Sequence, residues 1–74
     1  MVRRIPMKPF GSTSVIAGGY DPRGKVLRLR YIGGHIYDYR NVPHRVYRDL
    51  LAAPSKGRFV NWHVKPHYPY VRVH

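Results

Sequence analysis

With 74 residues, 14 of them Lys or Arg against three acids, all Asp, the chain carries a formal net charge of +11. A chain of this length buries only about 60% of its unfolded surface, which leaves room for one domain with a small core, and the absence of cysteine excludes disulfides, thiolate metal sites and thiol nucleophiles together. So positive a surface attracts polyanions over a Debye length of about 8 Å, so nucleic acid or an acidic protein surface is the expected partner class, and an aromatic fraction of 14% argues against disorder.

Met1-Val2-Arg3-Arg4 starts like a signal peptide, but Pro6, Lys8 and Pro9 interrupt any apolar stretch long enough to serve as one. No apolar run suits a membrane span, and a cytoplasmic location is expected. Residues 1–11 join Arg3, Arg4 and Lys8 with Pro6, Pro9 and Gly11, the composition of an extended, weakly packed basic arm. Val2, Ile5, Met7 and Phe10, beside Arg3 and Arg4, would give such an arm anchors for a protein partner.

The β-branched run Thr13, Val15, Ile16 predicts a first strand from Ser12 to Tyr20, weakened by Gly18-Gly19 and ended by the turn Asp21-Pro22-Arg23-Gly24. From Lys25 to Ile32 the pattern alternates, with Leu27, Leu29 and Tyr31 on one face and Arg28 and Arg30 on the other, which predicts a half-buried antiparallel strand. Gly33-Gly34 turns the chain, and His35 to Arg40 returns as a third strand. A two-residue loop would set Asp38 opposite Leu29 on the apolar face. A three-residue loop, Gly33 to His35, instead pairs Tyr31 with Tyr37, Leu29 with Tyr39, and Arg30 with Asp38 as an ion pair, and is the preferred register. Tyr37 and Tyr39 are then core residues, with Arg28, Arg30 and Arg40 facing outward.

Pro43 suits the first position of a helix running to about Ala53, with Val46, Tyr47, Leu50 and Leu51 as its apolar stripe and His44, Arg45, Arg48 and Asp49 opposite. Pro54 ends it, and Ser55 caps a second, shorter helix ended near Pro66, with Phe59, Val60 and Val64 packing and Trp62 either facing elsewhere or, as the preferred reading, packing in the core. The tail from His67 to His74 admits an edge strand, against which Pro66 and Pro69 count. The class is α+β: a three-stranded antiparallel meander packed with two short helices on one face, preceded by the arm.

In this order, Ser12-Thr13-Ser14, Tyr20-Asp21, Tyr37-x-Tyr39, Val42-Pro43, Leu51-Ala52-Ala53-Pro54-Ser55-Lys56-Gly57, Phe59-x-Asn61 and Tyr68 resemble the KTSC domain, over nearly the whole chain from Ser12 onward. That family is named for the C-terminal extension of some lysyl-tRNA synthetases and also occurs as small stand-alone proteins, some in phage genomes. The resemblance implies a domain over residues 12–74, RNA binding in a family with no established activity, and largely structural roles for Tyr37, Tyr39, Val42-Pro43 and Ser55. Gly33-Gly34 departs from the family's more usual polar-Gly turn.

His63 and His67 have i,i+4 spacing, but Pro66 interrupts the helix that a shared metal would need and no third ligand is spaced nearby, so no metal or other cofactor is expected. Ser12, Ser14 and Ser55 sit at strand-start or cap positions with no nucleophile elbow. A metal-independent ribonuclease using His, Tyr and Arg is the enzymatic alternative, although no spacing singles out a set. For binding, the expected footprint is Arg28, Arg30 and Arg40, extended by Arg45 and Arg48 on the helix and by Lys56, Arg58 and Lys65 beyond it, with Trp62, Tyr68 and Tyr70 available to stack on bases. The expected function is non-catalytic RNA or other nucleic-acid binding by a monomer. The alternative is a regulator whose arm docks on an acidic surface of RNA polymerase or the ribosome.

Overall fold

The computed structural model describes residues 4–74. Five antiparallel strands form one meander in sequence order: β1 (Lys8–Pro9), β2 (Val15–Asp21), β3 (Val26–Tyr31), β4 (Ile36–Tyr39) and β5 (Tyr70–Arg72). Helix α1 (His44–Ala52) and helix α2 (Lys56–Phe59) lie between β4 and β5 in sequence, and α2 runs on into a π-helical turn, Val60–Val64. The class is α+β as expected, but with five strands rather than three. Both additional strands are edges, where a proline removes no ladder bond that the sheet requires.

The helices cover one face of the sheet. Val15, Leu27, Leu29 and Tyr39 from the strands join Val42, Val46, Leu50, Val60 and Val64 in one buried cluster. Val46 and Leu50 are four apart on α1, so both point at the sheet. Ser55 Oγ accepts the Arg58 N–H, the cap expected at the start of α2. In the π-helical turn the Lys65 N–H reaches the Val60 carbonyl, and Val60 and Val64 are both fully buried. Trp62, midway between them, points away from the core and is 70% exposed, contrary to the expectation that it packs inside.

The β3–β4 hairpin differs from the preferred register. Leu27 faces Tyr39, Arg28 faces Asp38, Leu29 faces Tyr37 and Arg30 faces Ile36. The loop is Ile32-Gly33-Gly34, closed by the Tyr31 N–H on the His35 carbonyl, one residue earlier than expected. Gly33 and Gly34 adopt φ of +93° and +92°, conformations that favour glycine, so both stay inside the loop while His35 rejoins the ladder. Relative to the preferred pairing the partners slip by two, and a slip by two preserves the faces. The tyrosines therefore stay inward, and the ion pair passes from Arg30 to Arg28.

The weakly packed arm is also corrected over the described residues. Ile5 is buried, and Phe10 packs against the core cluster. The two glycines that weaken the strand pattern are the seats for this segment. A Cβ on Gly18 would meet the Phe10 ring at 2.6 Å, and one on Gly19 would run into the Pro6 carbonyl and Ile5 Cγ2. Of the apolar anchors proposed for a protein partner, Ile5 and Phe10 are spent on the fold itself, Met7 is half-buried, and Val2 lies with Arg3 outside the described residues; Arg4 is exposed.

Candidate nucleic-acid interface

Strand alternation sends Arg28 and Arg30 to the sheet face that the helices leave open. Arg28 is engaged there: its Nε lies 2.7 Å from Asp38 Oδ1 and its Nη2 2.8 Å from Oδ2, with both side chains largely buried. The hydrogen bond to Asp38 raises the Arg28 pKa, outweighing the opposing effect of burial. Arg30 is exposed beside it, and Arg40 is exposed where β4 ends, its backbone N–H donating to Pro69.

Arg45 and Arg48 stand on the solvent side of α1 and Arg58 on α2, all exposed. Since the helices cover the other sheet face, these three lie across the molecule from Arg28 and Arg30. The continuous footprint expected from the sequence is therefore two separate groups. Lys56 is a structural residue: its Nζ donates to the Leu51 and Ala53 carbonyls at 3.0 and 2.7 Å, closing the C-terminus of α1, and it lies over the Phe10 ring. Lys65 is exposed, with Nζ 5.3 Å from the Tyr31 ring centroid.

At the β4–β5 side of the helix-bearing face, four tyrosines meet. Tyr37 and Tyr70 stack with ring centroids 5.2 Å apart and planes 13° from parallel, and Tyr31 meets Tyr37 edge-on at 5.4 Å. The phenol oxygens of Tyr31 and Tyr39 are 2.6 Å apart. Burial pushes the Tyr31 phenol far above the ordinary tyrosine value, helped by that hydrogen bond, and burial raises Tyr39 as well. Tyr39 is fully buried, whereas Tyr70, its cross-strand neighbour, is 58% exposed. Tyr68 is half-buried against the core. Arg72 faces Tyr37 across the ladder, its Nη2 2.7 Å from His35 Nδ1 and its Nε donating to the His74 carbonyl. Neither Arg72 nor His35 belongs to the binding footprint expected from the sequence. Reading the tail as a strand would have put Arg72 on the same face as Tyr70, two residues away.

His63 and His67 line one cavity of about 500 Å³ with Asp49, Phe59 and Tyr68. Among the described residues no group of three or more His, Cys, Asp or Glu is placed to hold a metal, and no helix is long and apolar enough to cross a membrane.

The KTSC domain family model matches residues 11–68. A protein from Tsukamurella paurometabola is 52% identical over 62 residues, covering 84% of this chain and 92% of that protein. A lysine–tRNA ligase from Nostoc is 38% identical over 67 residues, covering 90% of this chain but 12% of the ligase. The crystal structure of a KTSC domain protein from Yersinia pestis superimposes with a TM-score of 0.89 at 28% identity, covering 96% of this chain and all of that one. With the family model matching residues 11–68 and the whole fold superimposing on a KTSC domain protein, the chain belongs to the KTSC domain family.

Proposed function

We propose that this chain is a non-catalytic RNA-binding module that works through its positive surface, as a cytoplasmic monomer. The observation that carries the reading is the fate of its acids. Asp21 is buried, its carboxylate accepting the Arg23 N–H, and Asp38 is tied to Arg28. Asp49 is the acid left exposed among the described residues, against Arg30, Arg40, Arg45, Arg48, Arg58 and Lys65. With one acid buried, one paired and one left open against many exposed cations, the surface presents a field suited to a polyphosphate, whose condensed counterions are released on binding. The lysine–tRNA ligase relative supports RNA among the polyanions, since an RNA stands in that enzyme's name.

Fluorescence anisotropy with single-stranded RNA, duplex DNA and heparin across a salt series tests the reading. The expected result is affinity for RNA about tenfold above the other two and still measurable near about 150 mM salt. Equal binding to all three, lost together as salt rises, would leave a generic cation surface and defeat the proposal.

A further inference from the structure

We infer that the Tyr70–Tyr37 stack is a base-stacking platform, and that it directs the protein to single-stranded RNA rather than to duplexes; this rests on the RNA-binding reading above and assigns it a site. The helices' cover ends between two neighbouring residues of one face. Tyr39 is 1% exposed and its cross-strand partner Tyr70 is 58% exposed. One face of the Tyr70 ring rests on Tyr37 and the Tyr39 ring meets it at a 45° tilt 5.7 Å away, yet the residue keeps 58% of its surface open, which leaves ring area outside both contacts. A planar base laid there would extend an existing stack instead of ordering a loose side chain.

The support beneath Tyr70 is fixed. Tyr37 is braced edge-on by Tyr31, and Tyr31 is hydrogen-bonded to buried Tyr39. Positive groups border the rings on two sides, Lys65 over Tyr31 and Arg72 beside Tyr37 on the same face, held toward His35. The nearest acid in sequence, Asp38, points through the opposite face to Arg28. An exposed aromatic ring with cations at its margin and no acid on its own face of those strands matches a base with a phosphate on either side. Duplex bases are already stacked on each other and offer no free face, so the platform discriminates by strandedness. Trp62 is more exposed, but no aromatic ring stacks under it among the described residues.

The test uses the full chain as wild type, Tyr70→Ala and Tyr70→Phe, with a short fluorescent oligouridylate and an RNA duplex of the same length. Tyr70→Ala is expected to weaken oligouridylate binding about tenfold, to leave duplex binding within about twofold, and Tyr70→Phe to bind as wild type. If the wild type binds neither RNA, the RNA-binding reading itself falls. If the wild type binds and Tyr70→Ala changes nothing, or weakens both RNAs equally, the platform falls while RNA binding stands. A loss in Tyr70→Phe equal to that in Tyr70→Ala would replace stacking by a hydroxyl contact and equally overturn the platform. Coincident thermal melts of the three proteins separate these outcomes from misfolding.

Discussion

The hydrogen bond between Tyr31 and Tyr39 links two phenols that burial keeps protonated. An unfolded tyrosine ionises near about pH 10. Below that value both states hold the proton and these groups add no pH dependence. Above it the unfolded chain releases protons that the folded chain retains, so stability falls as pH rises. The urea midpoint is therefore expected to drop between about pH 9 and about pH 11. In Tyr31→Phe the drop should be shallower but not absent, because Tyr20, Tyr39 and Tyr47 are also raised by burial. At about pH 9 that variant should already be less stable by about 1 kcal/mol, since the Tyr39 hydroxyl loses its partner in a dry site. An unchanged pH slope would mean that Tyr31 ionises freely in the fold. That Tyr39 belongs to the core, with Tyr37 facing the same way, was legible from alternation with polar neighbours. Which Arg would meet Asp38 was not, because a slip of two residues leaves every hydrophobic position where it was and changes the charged partner alone.

The N-terminal segment is seated by the missing side chain of Gly19, where the Pro6 carbonyl and Ile5 pass against β2. Gly19→Ala should cost about 1–3 kcal/mol by forcing that backbone outward. Chemical denaturation measures this, and a variant as stable as wild type would show that the segment sits elsewhere. The helix α1 and the three central strands could be read from the sequence because their periodic patterns are dense. The edge β1 could not, and β5 only as an open possibility in the tail: two- and three-residue strands carry no period, and proline beside or within them reads as interruption. Glycine in β2 misled in the same way, since its role is close approach by another segment rather than weakness. Trp62 escaped because composition says only that a large aromatic prefers burial, whereas the π-helical turn holds Val60 and Val64 inward and gives the residue between them to solvent.

At the scale of the whole molecule, the division of cations between the two sides decides how an extended polyanion is met. On the proposed tyrosine platform a single strand would run along the helix-bearing face and its β5 margin, where Lys65 and Arg72 would meet its phosphates, while Arg30 faces the opposite way. Lys65→Gln should reduce the slope of log affinity against log salt by about 0.7, the value of one single-strand phosphate contact, and Arg30→Gln should leave it unchanged. Equal reductions would mean that the strand wraps both sides. The split was invisible in the chain because a list of basic residues has no handedness until the helices choose a face. The two edge strands carry a further consequence. Each is very short, holds an exposed cation, Lys8 or Arg72, and has a proline, Pro9 within one and Pro69 just before the other. Such borders refuse the addition of another strand. The width of this sheet is thus set by its own punctuation, without the closure of a barrel, so the chain can remain small, highly charged and finite.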